Sequence, residues 1–164
     1  MGALGRWPVD RLPLSEPERL NALDALRHSF KDALESLQVD LGLDELFEQV
    51  YVPLACSIVE RFTPGEPLVV GINGAQGAGK ATLYNLLEVI LSEGFGLKVV
   101  GFSIDDLYLT RAEREGLAHR VHPLMQTRGV PGTHDLELCL ALLNQLKTAS
   151  DSEITKIPVF DKST

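Results

Sequence analysis

The stretch LVVGINGAQGAGK, at residues 68 to 80, decides the expected fold. Its first five residues form a short apolar run of β-branched character, which is typical of a buried strand. Residues 74 to 80 fit the pattern G-x-x-x-x-G-K of a phosphate-binding loop. Apolar residues recur at helical spacing from Leu83 to Leu91. We therefore expect a strand, an anion-binding loop and a helix whose N-terminus faces the bound phosphate.

In such a loop the backbone N–H groups converge on phosphate oxygens, and the lysine neutralises the β- and γ-phosphates. Ala81 departs from the pattern, because the residue after the lysine is normally a Ser or Thr whose hydroxyl binds magnesium. Thr82 points about 100° away on a helix, so it suits the α-phosphate better than the metal. The pattern therefore predicts nucleotide binding more strongly than turnover. The residues expected to bind the nucleotide are Gly74, Ala75, Gln76, Gly77, Ala78, Gly79, Lys80, Ala81 and Thr82.

Two further apolar runs, at residues 97–104 and 154–160, are read as strands. Between them we expect a short polar helix to about Ala118, with Thr110 and Glu113 as its capping box, and a leucine-rich helix from about Thr133 to Lys147. This order predicts an α/β protein with a parallel sheet of about three strands flanked by helices, as in phosphate-binding-loop NTPases. A loose lead-in at residues 1–14, a helical segment at 15–64 and a core at 65–164 are the expected divisions.

The segment before the core predicts a pair of helices. Ser15 and Glu18 form a capping pattern for the first helix, and Asp44 is expected to cap the second. Pro53 is expected to kink or divide the second helix near Val52. The apolar face of the first helix consists of Leu20, Leu23, Leu26, Phe30, Leu34 and Leu37.

Two carboxylates, Asp105 and Asp106, follow the second predicted strand. Ligands bind at the carboxyl ends of parallel strands, so a phosphoryl acceptor would dock there. One carboxylate can accept the proton of an attacking hydroxyl, and the other can hold magnesium. The alternative is that one of them only caps the next turn, and for Asp106 this is as well supported as a functional role.

The composition of the chain argues against some classes of binding partner. The chain has 164 residues and a net charge of −8, which opposes a general affinity for nucleic acid or anionic membrane. Cys56 and Cys139 lie among apolar residues, which suits free thiols in a reducing compartment. There is no signal-peptide run and no uncharged apolar stretch of about 18 residues, so we expect a cytoplasmic protein. The four histidines do not form a metal-ligand pattern.

Four segments in this order resemble small-metabolite kinases that have a phosphate-binding loop, the family of uridine kinase, phosphoribulokinase and pantothenate kinase, and within it D-glycerate 3-kinase. The segments are GINGAQGAGK at 71–80, SIDDLYLT at 103–110, RGVPGTHD at 128–135 and IPVFDK at 157–162. In that family further segments follow the last of these, so the resemblance implies that the chain corresponds to the N-terminal part of such a kinase, truncated at the C-terminus.

The resemblance implies that Lys80 and its loop bind ATP, with Asp105 as the base or as the carboxylate linked to Mg²⁺. Asp106 is the second catalytic candidate. Arg128 is a candidate clamp for an anionic substrate, because a guanidinium can bind a carboxylate or phosphate through two hydrogen bonds. The acceptor would be contacted by Tyr108, Arg128, His134, Asp135 and Phe160. Simpler interpretations stay open for four of these, namely a helix cap for Asp135, a surface histidine for His134, a core ring for Phe160 and a surface ion pair for Arg128.

The resulting expectation is an ATP-dependent kinase that phosphorylates a hydroxyl of a small organic acid, with D-glycerate favoured. A nucleoside, pantothenate or a sugar phosphate remain possible acceptors. The alternative is a catalytically impaired nucleotide-binding module, or a truncated remnant of such a kinase, in which Ala81 and the missing C-terminal part abolish turnover. A GTPase is disfavoured since no N-K-x-D run is present. The sequence does not indicate an oligomeric state.

Overall fold

A computed structural model describes residues 16–149 and 154–160. The chain divides into two compact units, Met1–Val100 and Gly101–Thr164. The predicted lead-in at 1–14 and the Ser15 cap lie outside the described residues. The predicted divisions at residues 14 and 64 stay predictions.

The first unit is built around α1 (Glu16–Ser36). Leu23, Leu26, Phe30 and Leu34 of its predicted apolar face are buried, whereas Leu20 is exposed. The Phe30 ring lies 5.0 Å from the ring centroids of both Phe47 and Tyr51. Such tilted and edge-on aromatic contacts add to the burial of apolar area. The predicted face of α1 therefore does form the core of this unit.

The second predicted helix consists of three helical segments in sequence. They are a 3₁₀ helix (Leu41–Leu46), a π-helix (Phe47–Tyr51) and α2 (Val52–Val59). Pro53 is the second residue of α2, so the helix divides near Val52 as predicted, by a change from π to α hydrogen bonding while the backbone stays helical.

Asp44 does not cap this helix, contrary to the sequence-based expectation. Asp40 caps it instead, and its Oδ1 accepts from the backbone N–H of Gly42 at 2.8 Å. Asp44 Oδ2 accepts from Arg27 Nη2 at 2.9 Å and lies 3.4 Å from Lys31 Nζ. The hydrogen bond from Arg27 lowers the pKa of Asp44 and raises that of Arg27, although partial burial of both groups opposes these shifts. Asp44 thus ties α1 to the segment that follows it.

The predicted helix after the glycine-rich loop is α3 (Lys80–Val89), and a π-helical segment (Ile90–Gly94) continues it. Leu86, Leu87, Ile90 and Leu91 are buried and join the core formed by α1 and α2. The glycine-rich loop is therefore anchored at its C-terminal end by a helix that packs in the main core.

The second unit contains shorter elements. A 3₁₀ helix (Ile104–Leu107) leads to α4 (Arg111–Arg120), which is followed by another 3₁₀ helix (Pro123–Gln126) and by α5 (Leu136–Thr148). Thr110 and Glu113 form the predicted capping box of α4. The predicted short polar helix and the predicted leucine-rich helix are both confirmed.

The predicted parallel sheet is wrong for the residues that the structure describes. No strand forms in any of the three predicted runs, 68–72, 97–104 and 154–160, which all lie within the described residues. Val69 and Val70 are 61% and 50% exposed, although they were expected to be buried. The one strand-like pairing in the described ranges is an isolated antiparallel bridge between Tyr108 and His134. An apolar run favours an extended backbone, but a strand exists only when a neighbour supplies its hydrogen bonds. These runs have no such neighbour among the described residues.

The helices and the two cysteines bear on the sequence-based expectations about membranes and thiols. In the described ranges, the helices are too short or too polar to cross a bilayer. Cys56 and Cys139 are both free thiols. Cys56 is buried, which raises the pKa of its thiol, and Cys139 is half-buried.

Candidate active site

The glycine-rich loop has the backbone that the motif requires at two glycines. Gly77 and Gly79 both have φ of +77°, in the left-handed region where a side chain would be strained. Gly79 is also the N-cap of α3. The loop residues from Gly74 to Gly79 are exposed at the N-terminus of α3, where an anion can bind. One of their amides, the Ala78 N–H, already donates to the Ala75 carbonyl at 3.2 Å.

Lys80 is the first residue of α3, and its side chain folds back over the loop. Its Nζ donates to the carbonyl oxygens of Gly74 at 2.8 Å and Ala75 at 2.9 Å. The ammonium group is thus held at the mouth of the loop, where it can interact with phosphate oxygens. Ala81 is exposed and brings no hydroxyl, while Thr82 is half-buried.

A second group of predicted site residues comes together in the second unit, around the bridge between Tyr108 and His134. Hydrogen bonds flank this bridge, from the Leu109 N–H to the Thr133 carbonyl at 2.9 Å and from the Asp135 N–H to the Leu107 carbonyl at 2.7 Å. Two of the predicted motifs, SIDDLYLT and RGVPGTHD, are thereby joined by their backbones.

Aromatic rings extend this contact to the third motif. The Tyr108 and His134 rings are stacked with centroids 4.3 Å apart, and Phe160 lies edge-on to Tyr108 at 5.5 Å. Arg128 Cζ lies 5.4 Å from the Phe160 centroid, and Arg114 Cζ lies 5.6 Å from it. Four of the five predicted acceptor-binding residues therefore lie in one cluster, which we call the Tyr108 cluster: Tyr108, Arg128, His134 and Phe160, together with Arg114.

Asp105 reaches the same cluster through Tyr108. Burial, the negative charge of Asp105 and a hydrogen bond with Asp105 all raise the pKa of Tyr108, in that order. The charges of Arg128 and Arg114 act in the opposite direction. The Tyr108 hydroxyl thus lies within the field of one carboxylate and two guanidinium groups, and it stays protonated at neutral pH.

Asp106 is bonded through both carboxylate oxygens to backbone N–H groups. Oδ2 accepts from Ser103 at 2.9 Å and completes a capping box, while Oδ1 accepts from Phe160 at 3.1 Å. In these contacts Asp106 holds the segment that carries Phe160 against the turn that carries Asp105. The same carboxylate was a catalytic candidate on sequence, and that role stays a prediction.

Asp135 and His134 occupy different environments. Asp135 is the N-cap of α5, with Oδ1 accepting from the Leu138 N–H at 2.8 Å, as its simpler interpretation expects. His134 is half-buried, and its Nε2 is shielded from solvent with no hydrogen-bond partner among the described residues. An unpaired buried imidazole nitrogen is costly, so a polar ligand atom there would be favourable.

Arg114 is the residue that sequence reasoning missed. It is 6% exposed, and its Nη1 donates to the Leu109 carbonyl at 2.8 Å. The sequence showed only a locally basic stretch that also contains Arg111 and Arg120, and no spacing rule separates a buried arginine from its exposed neighbours. A polar helix with one buried arginine has no distinctive pattern in its amino-acid sequence.

The described residues offer few ligands for a metal ion. Within the described ranges, no group of three or more His, Cys, Asp or Glu side chains could hold an ion. Magnesium bound to a nucleotide needs few protein ligands, because phosphates and water fill most of its coordination sphere. A single carboxylate such as Asp105 fits that requirement, whereas Ala81 offers no ligand.

Curated proteins similar to this chain are kinases. The chain is 45% identical over 101 residues to the uncharacterized kinase mug58 of Schizosaccharomyces pombe, with 60% of this chain and 36% of that protein covered. It is 35% identical over 115 residues to the probable ATP-dependent kinase TDA10 of Saccharomyces cerevisiae (65% and 40% covered). It is 36% identical over 110 residues to the chloroplastic D-glycerate 3-kinase of Arabidopsis thaliana (63% and 24% covered).

Pantothenate kinases are similar over more of the chain but at lower identity, as in Streptococcus gordonii, with 26% identity over 149 residues (87% and 46% covered). No protein-family model matches the chain, and no solved structure matches it.

These relatives confirm the resemblance to small-metabolite kinases that have a phosphate-binding loop. The chain spans less than half the length of each of these relatives.

Proposed function

We propose that this chain carries the nucleotide-binding and acceptor-binding parts of an ATP-dependent kinase that phosphorylates a hydroxyl of a small organic acid. The observation that carries the proposal is the Tyr108 cluster, in which three separate sequence motifs meet around one tyrosine whose pKa is raised by burial and by the neighbouring Asp105 charge. The kinase relatives support the reaction class, and the ATP-dependent yeast relative supports the choice of nucleotide.

In the proposed reaction the loop amides between Gly74 and Lys80 bind the triphosphate. Lys80 Nζ exchanges its bonds with the loop carbonyls for phosphate oxygens, so its charge offsets that of the β- and γ-phosphates. Magnesium, when bound, would neutralise further phosphate charge, and Asp105 is the carboxylate that would hold it as the alternative to its role as the base. Phosphoryl transfer needs little covalent help from the protein, so positioning and charge neutralisation account for most of the rate.

On the acceptor side, Asp105 accepts the hydroxyl proton as the acceptor oxygen bonds to the γ-phosphorus. The bond between that phosphorus and the bridging oxygen then breaks, and ADP leaves with the electron pair. Tyr108, which lies close enough to Asp105 for that charge to raise its pKa in addition to the effect of burial, orients the carboxylate or the acceptor hydroxyl. Nε2 of His134 is available as a partner for an acceptor oxygen, and Asp135 contributes by fixing the start of α5.

D-glycerate is the acceptor we favour. It is small, it combines a carboxylate with hydroxyls, and the Tyr108 cluster combines guanidinium groups with neutral donors and acceptors that could bind both. The similarity to D-glycerate 3-kinase supports this choice, and the similarity to pantothenate kinases makes pantothenate the alternative. We further propose a cytoplasmic protein whose partners are small molecules, with neither nucleic acid nor membrane among them.

A catalytically impaired nucleotide-binding module is the second candidate, and the observation in its favour is Ala81. Without a hydroxyl after the lysine, one ligand of nucleotide-bound magnesium is lost. Such a module would bind ATP through the loop and Lys80 without acceptor-dependent turnover.

One assay separates the two candidates. ADP formation by this chain is measured with ATP and Mg²⁺, alone and with D-glycerate or pantothenate, and the products are identified by ³¹P NMR. The kinase proposal expects ADP and a phosphate ester that appear together only with one acceptor. ATP binding with no acceptor-dependent ADP, also after Ala81→Ser, would contradict the kinase proposal and favour the module.

A further inference from the structure

Phe160 is the point on which two guanidinium groups converge. Arg114 Cζ and Arg128 Cζ lie 5.6 Å and 5.4 Å from its ring centroid. The ring is fixed by the edge-on contact with Tyr108 and by the backbone bond to Asp106. Both cations therefore lie against the same aromatic ring, beside the proposed acceptor site.

Arg114 is a buried cation whose bonds go to neutral groups. Its Nη1 donates to the Leu109 carbonyl at 2.8 Å and its Nε to the Gln126 carbonyl at 3.4 Å. No carboxylate pairs with it in the ranges that the structure describes. Buried charges in proteins are normally paired, and a guanidinium has five N–H donors. Arg114 therefore places a positive charge beside Phe160 that has no direct ion pair among the described residues, while Asp105 acts on the same cluster from the Tyr108 side.

Arg128 complements Arg114 because it is exposed. A guanidinium stacked on an aromatic ring keeps its N–H donors at the edge of its plane, where they can bind two oxygens of one anion. Contact with Phe160 also restricts the side chain, so less conformational freedom is lost when an anion binds.

We propose that Arg114 and Arg128 form an anion subsite on Phe160 that makes the protein select an acceptor with a carboxylate. Arg128 contacts the carboxylate, and Arg114 is a positioning residue that holds the ring and adds fixed positive charge. The inference rests on the proposed function and deepens it, since it names charge selection as the source of acceptor specificity. A phosphate group has similar chemistry, so the test separates the two anions.

The experiment follows the Tyr108 and His134 ring resonances of the whole chain by NMR. D-glycerate, its neutral amide and inorganic phosphate are titrated separately. Arg128→Gln is expected to weaken D-glycerate binding by about tenfold or more and to leave amide binding unchanged, because only the carboxylate uses the cation. Arg114→Met, which keeps the length of the side chain but removes its charge, is expected to lower the ratio of D-glycerate to amide affinity.

Arg120→Gln is the matched control, since Arg120 is an exposed arginine of the same helix as Arg114. It should leave both affinities unchanged. If Arg114 has a purely structural role, Arg114→Met will weaken the binding of D-glycerate and of its amide equally, and this part of the proposal will be overturned. If Arg128→Gln leaves the affinity ratio intact, or if phosphate binds there and D-glycerate does not, the subsite does not select a carboxylate and the inference is wrong.

The assay for ADP formation distinguishes this inference from the proposed function. Charge-selective binding of D-glycerate without ADP formation counts against the kinase alone. ADP formation from D-glycerate with unchanged selectivity in the Arg128 variant counts against the subsite alone.

Discussion

Asp106 Oδ1 accepts a hydrogen bond from the backbone N–H of Phe160 at 3.1 Å, although the two residues are 54 positions apart in the chain. The other oxygen of the same carboxylate accepts from Ser103. One side chain therefore connects the turn before Tyr108 with the segment that presents Phe160. Because this carboxylate is already committed to two backbone donors, we assign Asp106 a positioning role in the proposed acceptor site.

Replacing Asp106 with Asn should raise the KM for the acceptor more than it lowers kcat. The amide keeps one acceptor oxygen but offers an NH₂ group to the second backbone N–H, so one of the two bonds is lost at a cost of about 1–3 kcal/mol. Steady-state kinetics with varied D-glycerate measure the effect, and ATP affinity should stay constant.

Glu115→Gln is the control for that substitution, because Glu115 bonds only to Arg111 on the surface of α4 in the described contacts. A large loss of kcat at unchanged KM for Asp106→Asn would instead identify Asp106 as the proton acceptor.

Restoring a hydroxyl at residue 81 should strengthen the binding of Mg²⁺·ATP. Ala81→Thr supplies the ligand that the motif normally has, so we expect tighter Mg²⁺·ATP binding and faster turnover, by about tenfold. Ala81→Val has nearly the same shape without the hydroxyl and is the matched control. Mg²⁺ titrations at fixed ATP measure the effect, and equal behaviour of the two variants would show that the hydroxyl is not used.

The ion pair between Asp44 and Arg27 should make stability depend on pH in the acid range. Because the folded-state pKa of Asp44 lies below its unfolded value, its contribution is complete above the unfolded pKa of about 4 and is lost as pH falls through the folded pKa. Both side chains are partly exposed, so Asp44→Asn should cost about 1 kcal/mol or less at pH 7.

Urea unfolding at pH 7 and at low pH measures this difference, which should shrink in acid. Asp32→Asn on the exposed side of α1 is the control. An equal loss at both pH values would assign the effect of Asp44→Asn to packing instead of charge.

The sequence predicted those features that depend on local patterns. Leu26, Phe30 and Leu34 are buried as their spacing requires, and the cap at Thr110 lies where a hydroxyl followed by Glu113 predicts it. The resemblance to small-metabolite kinases implied that Tyr108, His134 and Phe160 share an acceptor site. The structure brings their rings together, and their role in binding an acceptor stays a prediction.

The failures concern interactions between distant segments. Whether Val69 and Val70 pair with a neighbouring strand depends on hydrogen bonds that an apolar run does not specify. Asp44 carries a capping residue type, but Arg27 on α1 competes for its carboxylate. Burial of Arg114 depends on Phe160 and on carbonyls of two segments, none of which is visible in the pattern of α4 itself.

An ATP titration of the ¹⁵N-labelled chain tests most directly whether the amides from Asn73 to Lys80 bind a nucleotide triphosphate. We expect saturable shifts of those amides and of the Lys80 ammonium resonance, and we expect Lys80→Ala to weaken ATP binding at least tenfold, since that variant removes the cation facing the phosphates. Lys98→Ala serves as the matched control. If a folded sample shows no shift at these groups with millimolar ATP, or if Lys80→Ala binds as well as the unaltered chain, the loop is not a nucleotide site.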